Sequence, residues 1–144
     1  MVWSGPPPMG EQTVSDLRIL IIEDDEIAAE ILQQYIRHLR PNAKIDWCWN
    51  GYEALVLIGE LKPELVFLDY MMPKLDGLEF LHSIKHLKSC ENCKIAVVSA
   101  FVDRDKEREF FEQGADYVLP KPLVPEQIQD VLKHFPTAAE RRRP

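Results

Sequence analysis

Apolar and polar residues alternate between two periodicities along residues 17–135. Short runs of branched apolar residues, such as "LRILII" (17–22) and "ELVFLD" (64–69), are typical of strands that are buried on both faces. Between such runs, apolar residues recur at helical spacing, as at Ile27, Ile31 and Leu32. The pattern therefore predicts strands and helices in alternation.

Five strands and five helices can be assigned in this way. Repeated strand–helix–strand units predict a parallel sheet with helices on both faces. Pro125 suits the first turn of the last helix, Gly114 a helix C-terminal cap, and Asp25 a helix N-cap. The predicted strands span 17–22, 44–50, 64–69, 94–100 and 116–120, and the predicted helices span 25–39, 51–61, 76–88, 103–114 and 124–135.

Two segments lie outside this pattern. Residues 1–16 contain three consecutive prolines and no periodicity, so we expect a flexible leader. Residues 136–144 are expected to form a disordered tail, with Arg141, Arg142 and Arg143 as its solvated end. The single predicted domain therefore covers residues 17–135.

Composition narrows the class of protein. With 46% hydrophobic and 28% charged residues, the 144-residue chain is globular in composition. It has no apolar run near the roughly 20 residues that span a bilayer, and no signal-peptide pattern, so we expect a soluble cytoplasmic protein without membrane contact. A formal net charge of −7 disfavours direct nucleic-acid binding.

Three cysteines are present, at positions 48, 90 and 93. An odd count without a secretion signal argues against a disulfide framework. Cys90 and Cys93 form a C-x-x-C motif, but one such pair supplies only two of the four ligands of a structural zinc. A redox pair would require a helix N-terminus to lower the thiol pKa. We therefore interpret the pair as two loop thiols.

Polar residues follow the predicted strands at their carboxyl ends, where open parallel sheets bind ligands. Glu23 and Asp24 follow the first strand, Asp69 ends the third, Ser99 lies at the end of the fourth, and Lys121 follows the fifth. These residue types suit phosphate chemistry. We therefore expect one site that assembles from distant parts of the chain.

Three carboxylates within a few ångströms of one another repel strongly. Each pair at about 4 Å costs on the order of 4 kcal/mol at an effective dielectric of 20. A hard cation that prefers oxygen ligands resolves this repulsion, so Glu23, Asp24 and Asp69 predict one Mg²⁺. Asp69 is then a candidate nucleophile for a phosphoryl group, with Lys121 as the cation and Ser99 as the hydroxyl donor beside it.

The chain resembles the receiver domain of two-component response regulators, of which CheY is an example. The matching segments are "ILIIEDDE", "LVFLDYMMPKLDGLEF", "IAVVSAF" and "GADYVLPKPL", so the resemblance covers residues 17 to about 135. It implies a flavodoxin-like, doubly wound α/β fold, with a five-stranded parallel sheet of order 2-1-3-4-5 and five helices.

The resemblance also implies roles for individual residues. Asp69 would be the phosphoacceptor and, with Lys121, a catalytic residue. Asp24, Asp69 and the Met71 carbonyl would bind the metal directly, and Glu23 would bind it through water. The phosphoryl group would contact Ser99, Ala100 and Lys121, and Pro122 is similar to the family's cis-proline.

The implied signalling face comprises the fourth helix, fifth strand and fifth helix. Receivers commonly carry an aromatic switch residue three positions before the lysine, but this chain has Val118 there, preceded by Tyr117. Either Tyr117 substitutes, or the face repacks without a rotating ring. The expected residues of this face are Tyr117, Val118, Phe101, Phe110 and Phe111.

We expect a phosphorylation switch rather than an enzyme, with only self-phosphorylation from small donors and slow self-dephosphorylation. The donor would be a histidine kinase or phosphotransfer protein, and the switched face would bind a partner or a second copy. Met71 and Phe101 flank the approach of water, which predicts a long-lived acyl phosphate. The alternatives are an aspartate-nucleophile phosphatase or phosphotransferase, which Met71 disfavours, and a degenerate receiver acting as a docking module.

Because no effector domain follows residue 135, the chain would be either a stand-alone receiver or a piece of a longer regulator, and the second interpretation is slightly favoured. The sequence does not name the cognate kinase or the output.

Overall fold

A computed structural model of the chain describes residues 17–72 and 76–143. Strands and helices alternate along it, as the periodicity predicted. The strands are β1 (Arg18–Ile22), β2 (Lys44–Cys48), β3 (Leu65–Asp69), β4 (Lys94–Ser99) and β5 (Tyr117–Pro120). The helices are α1 (Glu26–Leu39), α2 (Gly51–Leu61), α3 (Gly77–Lys85), α4 (Arg104–Glu112), α5 (Pro125–Leu132) and α6 (Ala138–Arg141), with a 3₁₀ turn at Lys88–Cys90.

The five strands form one parallel sheet in the order β2-β1-β3-β4-β5. This confirms the predicted fold class and strand order. The order reverses between β1 and β3, which is the switch point at which doubly wound sheets bind ligands. The carboxyl ends of β1 and β3 therefore lie side by side.

Two apolar cores form, one on each face of the sheet, because alternate residues of the central strands point to opposite faces. On β1, Leu20 and Ile22 belong to one core, and Ile19 and Ile21 belong to the other. The first core includes buried residues of α2, α3 and α4, and the second includes buried residues of α1 and α5.

The predicted helix ends are confirmed at three positions. The Asp25 carboxylate caps α1 by accepting hydrogen bonds from Ile27 N at 2.9 Å and Ala28 N at 3.3 Å. Pro125 is the first residue of α5, and Gly114 adopts φ +112° just after α4. A side chain at Gly114 would lie 2.4 Å from Lys85 Cγ, so glycine is required there for space as well as conformation.

The C-terminal segment differs from the prediction of a disordered tail. Residues 138–141 form the sixth helix, α6, where five helices were predicted, and Thr137 Oγ1 caps it by accepting a hydrogen bond from Glu140 N at 3.1 Å. Arg141 donates a hydrogen bond from Nη2 to Glu64 Oε2 at 3.2 Å. The Arg141–Glu64 ion pair thus joins this segment to the start of β3, and the periodicity of apolar residues cannot indicate such a pair. The predicted leader, residues 1–16, lies outside the described residues.

Within residues 17–72 and 76–143, none of the helices has the length and apolar character that crossing a membrane demands.

Candidate phosphoryl-transfer site

Three carboxylates meet where β1 and β3 end. Glu23, Asp24 and Asp69 each offer an oxygen, and these oxygens lie within 4.8 Å of one another. Glu23 and Asp69 are buried, whereas Asp24 is exposed. The sheet order explains why the three carboxylates lie close together, because β1 pairs directly with β3 although about 45 residues separate the two strands in the sequence.

Lys121, which follows β5, completes the charged cluster. Its Nζ lies 3.2 Å from Asp69 Oδ1 and 3.5 Å from Glu23 Oε2. Burial opposes the charged form of Lys121, but Glu23 and Asp69 outweigh it and raise the pKa of the ammonium group. The lysine therefore stays charged beside the carboxylates.

The surroundings of Glu23 favour its protonated form. Burial raises the pKa of its carboxyl group to about 8, and a hydrogen bond shared with Asp69 adds to the effect. A hydrogen bond from Asp25 N to Glu23 Oε1, 3.1 Å long, acts in the opposite direction. Without a cation, two adjacent buried carboxylates share a proton more easily than they share two negative charges.

The donor set of the cluster fits a hard divalent cation. All three side chains provide carboxylate oxygens, which Mg²⁺ prefers, and the exposure of Asp24 leaves room for the water ligands that this ion retains. The three predicted carboxylate ligands are thus brought together.

The remaining predicted phosphoryl contacts lie at the same end of the sheet. Parallel pairing places Asp69 opposite Val98 and Ser99 opposite Pro120. Ser99 is fully buried, and its Oγ accepts a hydrogen bond from Phe101 N at 3.3 Å. Lys121 N donates to the Ser99 carbonyl at 2.9 Å, and the Lys121–Pro122 bond is cis, as the resemblance implied. Ala100 is exposed in the loop that follows Ser99.

Comparison with known proteins decides the family. A family model described as the response regulator receiver domain matches residues 19–133, which is most of the chain. The chain belongs to the response regulator receiver family. The resemblance expected from the sequence is thereby confirmed, and with it the assignment to two-component signalling.

The curated proteins that resemble this chain are longer signalling proteins. A probable C4-dicarboxylate response regulator DctR from Bacillus subtilis is 34% identical over 82% of this chain, which spans 51% of that protein. The autoinducer 2 sensor kinase/phosphatase LuxQ from Vibrio cholerae is 30% identical over 90% of this chain, which spans 14% of that protein. The chain thus spans about half, or less, of the length of the curated relatives that it matches.

Solved structures show the same fold. The signal receiver domain of a DNA-binding response regulator from Colwellia psychrerythraea has a TM-score of 0.74 and 32% identity, covering 82% of this chain and 99% of that one. The chemotaxis protein CheY4 from Vibrio cholerae has a TM-score of 0.75 at 19% identity, covering 83% and 98% of the two chains, and shows the fold alone.

Two large apolar side chains of the receiver domain are exposed close in sequence to Asp69 and Ser99. Met71 is 52% exposed and Phe101 is 72% exposed, and each lies two residues beyond a site residue. Met71 also donates its backbone N–H to Asp69 Oδ1 at 3.2 Å. Both side chains are therefore outside the core and available to solvent. The described contacts leave the predicted role of the Met71 carbonyl as a prediction.

The structure distinguishes between the two explanations for Val118. Tyr117 packs into the core shared with α1 and α5, and its ring stacks on His134 with centroids 5.7 Å apart. Val118 packs against the opposite core, which includes α4. Because neighbouring residues of a strand point to opposite faces, Tyr117 cannot replace an aromatic ring at position 118. This favours a face that works without that ring.

The prediction that Phe110 contributes to the exposed surface of the signalling face is wrong. Phe110 is fully buried, whereas its neighbour Phe111 is 45% exposed. Successive residues of a helix point about 100° apart, so one phenylalanine of the pair enters the core and the other remains at the surface. Phe111 is therefore the aromatic residue that α4 presents to solvent.

The residue that sequence reasoning missed is Tyr70, directly after Asp69. Its ring meets Phe110 edge-on, with centroids 4.9 Å apart at 74°, and Lys106 Nζ donates to its hydroxyl at 3.3 Å. Tyr70, adjacent to Asp69, thus contacts two residues of α4, Phe110 and Lys106. The sequence feature that could have indicated Tyr70 is Gly77, since a glycine leaves room for the tyrosine ring. A Cβ at position 77 would lie 2.5 Å from Tyr70 Cδ2.

Proposed function

We propose that Asp69 is the phosphoacceptor of this receiver domain and that a histidine kinase or a phosphotransfer protein is the donor. The observation that supports the proposal is the Lys121 ammonium group, 3.2 Å from the buried Asp69 carboxylate at the switch point of the sheet. An Asp69 oxygen attacks the phosphorus atom, the bond to the donor breaks, and an acyl phosphate remains.

Residues of the chain meet three requirements of this step. Lys121 places positive charge where the phosphoryl oxygens arrive. Ser99 offers a hydroxyl donor from the end of the neighbouring strand, and the exposed loop at Ala100 adjoins it. Asp24, Asp69 and the Met71 carbonyl would hold Mg²⁺, with Glu23 acting through water, and the bound ion would supply positive charge that offsets the repulsion between carboxylates and phosphate.

Phosphorylation then changes the surface formed by α4, β5 and α5. Acyl phosphate formation adds charge at Asp69, and Ser99 moves toward it, which shifts a two-state equilibrium. A groove of about 420 Å³ lies on this surface and is lined by Phe111, Tyr117 and His134 among others. We propose this groove as the place where a protein partner, or a second copy, recognises the phosphorylated state.

The chain acts as a switch rather than as an enzyme with external substrates. Position 71, two residues after the nucleophile, is where aspartate-based phosphatases place a general acid, and methionine cannot donate a proton. The exposed side chains of Met71 and Phe101 also restrict water at the acyl phosphate. We therefore expect a phosphoryl group that persists and is lost slowly by self-dephosphorylation.

Mass measurement of the intact protein tests the proposal. Incubation with acetyl phosphate and Mg²⁺ should add one phosphoryl group to the wild type, and none to Asp69→Asn or after chelation of Mg²⁺. Lys121→Gln should react much more slowly. Lys133→Gln is the matched control, because Lys133 is an exposed lysine paired only with Asp130 among the described ion pairs.

Other outcomes of this experiment identify the alternatives. Continuous release of inorganic phosphate, with little accumulation on the protein, would indicate a phosphatase or phosphotransferase. The absence of any mass change in the wild type would indicate a degenerate receiver that serves as a docking module. Either result would refute the proposed switch.

A further inference from the structure

The C-x-x-C motif lies at the opposite end of β4 from Ser99. Cys90 ends the 3₁₀ turn, and Cys93 N donates to the Cys90 carbonyl at 3.1 Å, immediately before β4. A turn closed by such a bond holds its first and fourth Cα atoms within about 7 Å, a range that overlaps the one required by a disulfide. The backbone thus already holds both cysteines near bonding distance.

Both thiols are buried and interact with each other. Cys90 is 1% exposed and Cys93 is 3% exposed. The neighbouring Cys93 thiol lowers the pKa of Cys90, against the effect of burial and with help from the nearby Lys85, while Cys90 and burial raise the pKa of Cys93, whose Sγ donates to the Lys94 carbonyl at 3.5 Å. The neighbouring thiol, rather than a helix N-terminus, therefore favours a thiolate at Cys90.

A cleft reaches the motif from solvent at Cys93. It has a volume of about 940 Å³, and Cys93 lines it together with Lys62, Lys88 and Lys94. All three lysines are exposed, so the cleft attracts anions. Because the cleft adjoins the amino ends of β1, β3 and β4, it is separate from the proposed phosphoryl-transfer site.

We propose that Cys90 and Cys93 form a dithiol modification site, which anionic low-molecular-weight disulfides oxidise to an internal disulfide. The Cys90 thiolate attacks one sulfur of the small disulfide, the S–S bond breaks, and one small thiolate leaves. Cys93 then gives up its proton and attacks Cys90 Sγ in the mixed disulfide, releasing the second small thiol. The two cysteines are oxidised, and one small disulfide is reduced to two thiols.

Cys48 provides an internal control. It is fully buried at the end of β2, and burial raises the pKa of its thiol to about 12. A protonated buried thiol is a poor nucleophile. Under conditions that oxidise the pair, Cys48 should remain reduced.

The experiment treats the folded wild-type chain with oxidised glutathione and analyses it by intact mass and non-reducing peptide mapping. The expected product has lost the mass of two hydrogen atoms, contains a Cys90–Cys93 cross-link, and retains a free Cys48. Cys93→Ser should accumulate a stable glutathione adduct at Cys90, because the second step is blocked. Cys90→Ser should react with oxidised glutathione much more slowly than the wild type or Cys93→Ser.

Small disulfides of different charge test the role of the cleft. Lys88→Gln combined with Lys94→Gln should slow oxidation by oxidised glutathione several-fold, slow neutral hydroxyethyl disulfide little, and leave cationic cystamine unaffected or faster. Equal labelling of Cys48, a glutathione adduct in the wild type that never resolves, or reaction only after unfolding would each overturn the proposal. Equal slowing of all three reagents in the double variant would overturn the role of the cleft.

Discussion

Replacement of Glu23 by glutamine should remove part of the pH dependence of stability. The pKa of Glu23 lies at about 8 in the folded chain, against 4.5 for an ordinary glutamate, because the group is buried beside Asp69. Folding therefore favours the protonated form. Below about pH 4.5 the group is protonated in both states, and above about pH 8 it is ionised in both.

Between these limits the unfolded chain loses the proton and the folded chain keeps it. The free energy of unfolding must therefore fall as pH rises, since the native state binds more protons. At about 1.4 kcal/mol per pKa unit, the shift corresponds to a loss of at most roughly 5 kcal/mol across the window. The raised pKa of Lys121 starts from 10.5, so its titration lies above this window.

Urea unfolding followed by far-UV circular dichroism, in the presence of a chelator, measures the effect. The difference in free energy of unfolding between Glu23→Gln and wild type should grow in favour of the variant from about pH 5 to pH 8, by several kcal/mol. Groups that the two proteins share cancel in this comparison. Adding Mg²⁺ should stabilise the wild type more at pH 8 than at pH 6, because Glu23 attracts the cation only in its ionised form.

Parallel stability curves for the two proteins would refute this reasoning. They would mean that Glu23 is ionised in the folded chain at neutral pH, and that the proximity of three carboxylates costs less than the structure indicates. A Mg²⁺ effect of equal size at both pH values would refute the coupling between proton and metal.

Three further outcomes are expected. Asp25→Ala should lower the free energy of unfolding by about 1 kcal/mol in urea titrations, because α1 loses its cap, whereas Asp25→Asn should retain most of it. Gly114→Ala should destabilise the chain by about 1–2 kcal/mol, because alanine is strained at φ +112° and its Cβ would contact Lys85. Gly59→Ala should instead stabilise α2 by about 0.5–1 kcal/mol, because a Cβ there meets no atom within 4 Å. Equal effects of the two substitutions in thermal unfolding would contradict this reasoning. Phe101→Asn should shorten the lifetime of the acyl phosphate several-fold in a phosphate-release assay, and an unchanged lifetime would show that the exposed ring does not restrict water.

Periodicity was sufficient for the order of the five strands and of helices α1 to α5, because each has its own repeat of apolar residues, but it did not indicate α6. It was less reliable at helix ends. The third helix was predicted to continue through residue 88, but α3 ends at Lys85 and a separate 3₁₀ turn follows. The apolar spacing continues past the end of the helix because Leu87 still packs against the core, so periodicity alone does not mark the break.

The sequence by itself determined which residues are candidates for the chemistry, since carboxylates, a hydroxyl and a lysine follow predicted strands and parallel strands end at one edge. Only the tertiary structure decided which aromatic side chains face the core. Tyr117 and Val118 are adjacent in sequence but serve opposite cores, and Phe110 is buried beside Tyr70 while Phe111 reaches solvent. Side-chain direction depends on how a strand or helix is rotated against its neighbours, and contacts between distant segments set that rotation.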